Sequence, residues 1–307
     1  MNEIVIRSPA TVANFGPGFD IFALALETPF DVLKIRLKDT PSIHLRITGA
    51  ADDIPTSAEK NTAGLAAIHF FKRVNSSAGA EIEIVKRMPT GAGLGSSAAS
   101  AAACVFGLNR LLQANLEPRE LIEIASRAET ASGGAAHADN VSGCLLGGFI
   151  YVRSYYPLDV VRIDAPEIPV VIAVIKKSQT TTRSLIPNLI SLTRVKEQMS
   201  SCASVIHAVL NGDLKAIGAA VNTDHISEPV RSKFIPGYGE IKKKALEAGA
   251  YGCNVSGGGS SVFVICEKGQ TAEMARLIQT HFNEKEIRVE VVLTRASNTG
   301  LREINEL

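Results

Sequence analysis

A loop rich in glycine and serine is the part of the sequence whose residue types and spacing best fit a chemical role. Gly91, Gly93 and Gly95 recur at every second position and are followed by two serines and an alanine-rich stretch. Glycine takes positive φ angles and lets a ligand approach the backbone, and the free N–H groups at a helix start attract anions. We therefore predict that this loop holds the phosphates of a nucleotide, and that Ser96 or Ser97 caps the following helix. The predicted phosphate loop comprises Pro89, Thr90, Gly91, Ala92, Gly93, Leu94, Gly95, Ser96, Ser97, Ala98 and Ala99.

Two familiar phosphate-binding patterns do not fit this loop. The Walker A pattern needs a lysine directly after its last glycine, where this sequence has Ser96. The dinucleotide fingerprint needs a glycine at that same position and a buried parallel strand before the loop. The preceding residues 80–86 alternate polar and apolar side chains, which is typical of a half-exposed antiparallel strand. NAD binding is thereby disfavoured, and a plain glycine-rich turn is the structural alternative.

A phosphate loop without its own lysine needs other positive charge, most simply Mg²⁺ held by a hydroxyl or a carboxylate. Ser97 at the helix start and Glu129 at the end of the next predicted helix are the candidate ligands. On the residues alone, Ser97 is equally well a helix cap, and Glu129 is better explained as a surface carboxylate.

A second polar and glycine-rich stretch, residues 133–141, brings His137, Asp139 and Asn140 together between predicted buried segments. We predict a turn that a substrate can reach. A structural histidine beside an Asp-Asn turn is the alternative.

Polar residues in three other segments could recognise a substrate. Asn14 and Asp20 lie in a polar loop after the first predicted strand, whereas Thr180 and Arg183 follow a buried one. Asp20 can bind an ammonium or hydroxyl group, and a pair of guanidinium groups, Arg183 with Arg231, can bind a carboxylate. This combination suits an amino acid. Without further information, a surface salt bridge explains each arginine better.

The elements that must position these residues are mixed strands and helices. Periodicity predicts strands at residues 3–7, 32–37, 42–48, 80–86, 147–152, 170–175, 261–266 and 288–294. It predicts helices at residues 62–74, 97–113, 118–130, 194–210, 214–221, 239–248 and 270–282. Because strict βαβ alternation is missing, the predicted class is α+β. A chain of 307 residues exceeds the usual size of one core, so we predict two lobes, at 1–155 and 156–307, of which the first contains the phosphate loop.

The composition argues against several classes of partner. The net charge is +1, from 32 basic and 31 acidic side chains, which gives no reason to expect nucleic acid or a membrane surface. Five widely spaced cysteines with no C-x-x-C predict buried free thiols in a reducing compartment. No apolar run approaches 18 residues and the N-terminus has no signal pattern, so we expect a cytoplasmic protein.

Three motifs in the same order resemble those of the GHMP kinases. Residues 89–98 match the family's second motif, Pro-x-x-x-Gly-Leu-Gly-Ser-Ser-Ala, throughout. Residues 8–20 are similar to its N-terminal motif in the form found in homoserine kinases. Residues 255–263 are similar to its C-terminal glycine motif, which is otherwise a tight hairpin.

The resemblance implies a two-lobed GHMP kinase fold. Its N-terminal lobe would resemble domain 2 of ribosomal protein S5, and its C-terminal lobe would be a ferredoxin-like α/β unit. The resemblance also implies ATP as phosphate donor, Mg²⁺ held by Ser97 and Glu129, and a C-terminal glycine motif packed beside the phosphate loop. Family members commonly form dimers, so a homodimer is compatible with it.

Two further stretches resemble homoserine kinases in particular. Residues 136–141 resemble their Pro-His-x-Asp-Asn-Val signature, with Ala136 replacing the proline. Residues 224–231 are close to their Asp-x-Ile-His-x-Pro-x-Arg run, although His225 and Ser227 are moved or exchanged. This implies phosphorylation of the side-chain hydroxyl of L-homoserine, a step of threonine biosynthesis. The implied binding residues are Asn14, Asp20, His137, Thr180, Arg183, Arg231 and Gly258.

The catalytic residues implied by the resemblance are Asn140, Asp139 and Arg183. Mevalonate kinase-like relatives use an aspartate in this region as the base, and Asn140 occupies the equivalent position here. We therefore expect transfer without a dedicated protein base, so that Asp139→Ala keeps most turnover instead of losing ~10²–10⁴-fold. A kinase of a mevalonate-type or sugar substrate and a catalytically silent metabolite sensor are the alternatives.

Overall fold

The computed structural model describes residues 2–50, 54–133, 137–175 and 182–305. Eleven strands are found in these residues. They are β1 (Glu3–Ala13), β2 (Phe22–Lys38), β3 (Ile43–Gly49), β4 (Gly79–Lys86), β5 (Phe149–Tyr155), β6 (Leu158–Ile163), β7 (Pro169–Ile175), β8 (Gly252–Ser256), β9 (Ser261–Ile265), β10 (Val289–Arg295) and β11 (Arg302–Glu303).

Ten α-helices accompany the strands in the same residues. They are α1 (Thr62–Arg73), α2 (Ser96–Leu111), α3 (Pro118–Ala128), α4 (Thr130–Gly133), α5 (Asp139–Leu146), α6 (Leu192–Asn211), α7 (Leu214–Val221), α8 (Glu228–Arg231), α9 (Tyr238–Glu247) and α10 (Thr271–Glu284). None of these helices is long and apolar enough to cross a membrane. The predicted α+β class is confirmed.

The strands form two sheets. The larger sheet has seven strands. Five of them follow the order β11-β1-β2-β4-β3, and the other two extend from β2, because β5 pairs with its first residues and β6 pairs with β5. The smaller sheet has the order β10-β7-β9-β8 and is antiparallel throughout. β6 and β11 extend the larger sheet beyond residue 155, and the boundary between two lobes stays a prediction.

β7 connects the two hydrophobic cores because it is buried on both faces, as its continuous apolar run predicts. Val170, Ile172 and Val174 contribute to the core of the larger sheet. Val171 and Ala173 contribute to a second core under α9 and α10. Alternate residues of one strand therefore pack on opposite sides.

The alanine-rich helix α2 crosses the larger sheet at close range. Its residues Ala98–Cys104 are nearly all without exposed surface, and a Cβ at Gly107 would lie 2.6 Å from Ile6 Cδ1 and 2.7 Å from Ile35 Cδ1. Small side chains permit this close approach, which fixes the N-terminal end of α2 at the phosphate loop.

Several elements differ from the sequence predictions. β2 begins at Phe22 instead of residue 32, because Pro29 and the polar residues at 27, 28 and 31 interrupt the alternation on which the prediction rested. β4 is antiparallel to β2 but parallel to β3. The strand β8 was not predicted because its five residues, GCNVS, are too few to show a clear alternation and include the polar Asn254 and Ser256, although all five are buried. The expected turn at residues 133–141 is wrong at both ends, because Gly133 ends α4 and α5 begins at Asp139. Residues 134–136 lie outside the described residues. The five cysteines are free, and all but the half-buried Cys202 are buried.

Candidate active site

The phosphate loop ends in a glycine that starts helix α2. Gly95 has φ 71° and is the N-cap, so the prediction that Ser96 or Ser97 caps this helix is wrong. Both serines are instead the first helical residues, and the first hydrogen bond of the helix joins Ala99 N to Gly95 O. The first N–H groups of a helix have no carbonyl partner within it and can bind an anion, and here the first turn begins at Ser96.

Two other segments hold the phosphate loop in place. From β1, the Thr11 N–H donates to Leu94 O at 3.0 Å. From the C-terminal glycine motif, the Ser256 hydroxyl donates to Gly93 O at 2.7 Å, and a Cβ on Gly259 would lie 2.1 Å from Gly93 N. The expectation that this motif packs beside the phosphate loop is confirmed.

Ser97 and Glu129 are adjacent, as a shared metal site would require. The Ser97 hydroxyl donates to Glu129 Oε1 at 2.6 Å. Burial raises the pKa of Glu129 to about 7, while the hydrogen bond from Ser97 opposes the shift and the charge of Asp139 adds to it. A hydroxyl and a carboxylate are oxygen ligands that Mg²⁺ accepts, with phosphate oxygens and water completing its coordination. The two residues therefore fit Mg²⁺. The described part of the chain contains no group of three or more His, Cys, Asp or Glu side chains arranged for a metal.

Asn140 borders the phosphate loop at the start of α5. Its Oδ1 accepts a hydrogen bond of 2.6 Å from the Thr11 hydroxyl. A Cβ on Gly95 would lie 3.2 Å from the same oxygen and 2.2 Å from the hydroxyl oxygen of Thr11, so only glycine permits this approach. Asn140 can donate a hydrogen bond to a substrate oxygen, but its amide cannot take a proton usefully.

Asp139 is buried next to Asn140. Its side chain is 2% exposed, and its Oδ1 has no hydrogen-bond partner among the residues described. Burial raises the pKa of Asp139 to about 7, and the negative charge of Asp20 adds to the shift, whereas the Asn140 N–H opposes it. Asp139 therefore carries a proton over a wider pH range than an exposed aspartate.

A charged cluster formed by Asp20, His137, Arg183 and Arg231 lies around Phe19. Arg183 Nη1 is 2.6 Å from Asp20 Oδ2, and His137 Nδ1 is 3.5 Å from Asp20 Oδ1. The guanidinium carbons of Arg183 and Arg231 lie 4.9 Å and 5.3 Å from the centre of the Phe19 ring. Residues far apart in the sequence thus supply both signs of charge to one small region.

Asn14 and Tyr155 fix the position of Asp20, which has φ 58°. Asn14 Oδ1 accepts from the Asp20 N–H at 3.2 Å, and the Tyr155 hydroxyl donates to the Asp20 carbonyl at 2.6 Å. Asn14 is itself buried, and its Nδ2 has no partner in the described ranges. Asn14 therefore orients Asp20 and retains a donor for a ligand.

Arg231 is a buried residue at the end of α8. Its Nη1 donates to Gly257 O at 2.9 Å, and a Cβ on Gly258 would lie 3.8 Å from its Nη2. Burial lowers the pKa of Arg231 from its ordinary value, although Asp20 opposes the change. Thr180 lies outside the described residues. The neighbouring Thr182 hydroxyl donates to Gly258 O at 3.3 Å.

Comparison with known proteins identifies the family of this chain. Residues 61–148 match the family described as GHMP kinases N terminal domain, and residues 205–283 match GHMP kinases C terminal. A homoserine kinase of Methanococcus vannielii is 36% identical over 286 residues, which are 92% of this chain and 94% of that relative. The chain belongs to the GHMP kinase family.

Solved structures of other kinases share the fold of this GHMP kinase. The crystal structure of a homoserine kinase from Cytophaga hutchinsonii has a TM-score of 0.92 and 36% identity, and it covers 99% of this chain and 98% of its own. A galactokinase of Lactococcus lactis complexed with galactose reaches a TM-score of 0.73 at 14% identity, covering 98% of this chain and 95% of its own. That second likeness shows a shared fold alone. The GHMP kinase fold with two family domains is therefore confirmed.

Five residues that shape the site of this GHMP kinase were not predicted from the sequence. Thr11 lay within the N-terminal motif but was given no role. Lys86 lies on the same face of β4 as the buried Ala80, Ile82 and Ile84. A lysine at a position where the alternation predicts a buried side chain is the sequence signal that could have identified it. The remaining missed residues are Phe19, Asp31 and Tyr155, whose contacts join segments distant in the chain.

Proposed function

We propose that this GHMP kinase transfers the γ-phosphoryl group of ATP to the side-chain hydroxyl of L-homoserine, a step in threonine biosynthesis. The observation that carries the proposal is the link between the charged cluster and the phosphate loop. Arg231 of the cluster donates to the Gly257 carbonyl, and a Cβ on Gly257 would lie 3.2 Å from the Gly93 carbonyl oxygen of the loop. Relatives named homoserine kinase, 36% identical over most of the chain, support the same substrate.

The charged cluster matches the two charges of an amino acid. Arg183 and Arg231 can bind a carboxylate, and Asp20 can bind an ammonium group. His137 lies 3.5 Å from Asp20, and Asn14 orients the Asp20 backbone. Neutral sugars and mevalonate have no ammonium group for Asp20, so the cluster favours an amino acid over the substrates of the sister kinases.

The phosphate loop and two oxygen ligands would hold the nucleotide and its metal. The N–H groups at the start of α2 would bind phosphate oxygens, and Ser97 with Glu129 would hold Mg²⁺. When bound, Mg²⁺ supplies positive charge to the phosphates, which this loop lacks because it has no lysine of its own.

Positioning is the main contribution of the protein to the chemistry. Asn140 donates to the homoserine hydroxyl oxygen and holds it in line with the γ-phosphorus. That oxygen forms the new P–O bond as the bond from the γ-phosphorus to the β,γ-bridging oxygen breaks, and ADP leaves. The hydroxyl proton passes to a γ-phosphate oxygen or to water.

The test is ADP release from Mg-ATP with L-homoserine, mevalonate and galactose measured in parallel. Turnover with homoserine alone is the expected result. Turnover with mevalonate or galactose would assign a different GHMP substrate, whereas ATP binding without any turnover would favour the silent sensor.

We also propose a cytoplasmic location, which the free cysteines support. The division into lobes at residues 1–155 and 156–307, and the homodimer, stay predictions. Light scattering of the purified protein at several concentrations measures the oligomeric state directly.

A further inference from the structure

A buried ion pair lies directly beneath the phosphate loop. Lys86, at the end of β4, and Asp31, in β2, are 4% and 0% exposed, and Lys86 Nζ is 2.5 Å from Asp31 Oδ2. Nothing in the proposed chemistry uses either side chain. Buried charges are costly unless they are paired and hydrogen-bonded, so a fully satisfied pair at this place calls for a role.

Both members of the pair contact Ser96, the first residue of α2. Lys86 Nζ donates to the Ser96 carbonyl at 2.9 Å and to the Ser100 hydroxyl at 3.0 Å. Asp31 Oδ2 accepts from the Ser96 hydroxyl at 3.1 Å. The side chain and the carbonyl of one residue are therefore held by opposite charges.

Asp31 also holds the strand end that leads into the loop. Its Oδ1 accepts from the N–H groups of Arg87 at 2.8 Å and Met88 at 3.0 Å. The pair is thus tied to the segment just before the phosphate loop and to the helix just after it. Both ends of the loop are anchored to one cluster of charges.

We infer that Asp31 and Lys86 are positioning residues that set the phosphate loop and the start of α2 in the geometry that binds nucleotide. Consecutive residues of a helix project about 100° apart. Holding Ser96 toward the ion pair therefore directs Ser97 to a different side, where its hydroxyl meets Glu129 at 2.6 Å. Both side chains would act through Ser96 and the strand end before the loop, and neither is assigned a contact with the nucleotide. The inference rests on the proposed role of the loop in binding ATP.

The test compares three variants by the dissociation constant of ADP with Mg²⁺, measured by calorimetry. Asp31→Asn/Lys86→Met removes both charges at once, so that no unpaired charge is left buried, and keeps the acceptor for Arg87 and Met88. Ser100→Ala removes one acceptor of Lys86 and is a mild change. Leu108→Ala is the control, because Leu108 is fully buried in the same helix but about 18 Å from its start.

We expect the double variant to bind ADP at least tenfold more weakly and Ser100→Ala severalfold more weakly, whereas Leu108→Ala binds it as the parent protein does. The KM for ATP should rise with the dissociation constant, and the KM for homoserine should stay within about twofold. A purely structural pair would instead lower the unfolding temperature of the double variant as Leu108→Ala does, and leave ADP binding unchanged. That result would overturn the inference.

Two outcomes separate this inference from the proposed function. If the parent protein does not bind ADP, the proposed function fails first. If the parent binds ADP and the double variant does not fold, Ser100→Ala decides, and unchanged ADP binding by that variant contradicts the positioning role.

Discussion

Asp139 is 2% exposed, and burial raises its pKa to about 7 from an ordinary value of 3.8. The folded protein therefore keeps a proton that the unfolded chain releases at lower pH. By linkage, this group lowers the free energy of unfolding as the pH rises through the interval from about 4 to about 7, and the full loss persists above it.

Replacing Asp139 by asparagine should remove this dependence. Asp139→Asn and the parent protein should be similarly stable near pH 4, and the variant should be more stable at pH 8. The difference can reach about 4 kcal/mol, since each unit of pKa shift corresponds to about 1.36 kcal/mol. Urea unfolding at pH 4.5, 6 and 8 measures it. If the free energies of unfolding of the variant and the parent differed by the same amount at all three pH values, Asp139 would have the same pKa in the folded and unfolded protein.

The same residue tests whether a protein base is used. If Asn140 only positions the hydroxyl and no side chain removes its proton, Asp139→Ala should lower kcat by less than about tenfold. Initial rates at saturating ATP and homoserine decide this, with Asp139→Asn as the isosteric control. A loss of ~10²–10⁴-fold in both variants would identify Asp139 as a general base.

Two glycines of the phosphate loop distinguish the effect of backbone conformation from the effect of a close contact. Gly91 and Gly93 both have positive φ, 69° and 78°. A Cβ on Gly93 would lie 2.2 Å from the Ser256 carbonyl oxygen, whereas a Cβ on Gly91 has no neighbour within 4 Å. The two positions therefore carry the same backbone strain but differ in contact with the C-terminal glycine motif.

We expect Gly91→Ala to cost about 1–2 kcal/mol of stability from its φ angle alone and to change the KM for ATP little. Gly93→Ala should cost more and raise the KM for ATP at least tenfold, because its methyl group pushes the loop from β8. Thermal unfolding and steady-state kinetics of both variants provide the comparison. Equal kinetic effects would mean that backbone strain, and not the contact with Ser256, governs the loop.

Across the whole molecule, stacked phenylalanines connect the two sheets beside the charged cluster. Phe263 of β9 stacks on Phe15 with ring centres 5.5 Å apart, and Phe15 meets Phe149 of β5 edge-on at 5.8 Å. Phe15 directly follows Asn14, which orients Asp20. The packing between the sheets is thereby coupled to the position of Asp20, the carboxylate proposed to bind the ammonium group of the substrate.

Phe263→Ala should therefore affect both stability and substrate binding. It should cost about 3–5 kcal/mol of unfolding free energy and raise the KM for homoserine at least fivefold. Ile278→Ala is the matched control, since Ile278 is fully buried in the second core under α10 and should cost about 2–5 kcal/mol. A KM for homoserine that rises equally in both variants would indicate a general effect of lower stability.

The sequence by itself determined the features that depend on local backbone. The positive φ angles at Gly91, Gly93 and Gly95, the helix after them and the doubly buried strand β7 all follow from residue type and periodicity within short windows. The motifs that identified the family are of the same local kind.

The tertiary structure decided which side chains meet. Asp31 pairs with Lys86 across 55 positions, Thr11 with Asn140 across 129 and Asp20 with Arg183 across 163. Such pairs depend on which distant strands lie side by side and on the packing of one core against another, and residue types within a short window do not specify either. The cap of α2 shows the same limit at short range. Both serines are good caps by type, yet the close approach of Thr11 and Asn140 requires glycine at position 95.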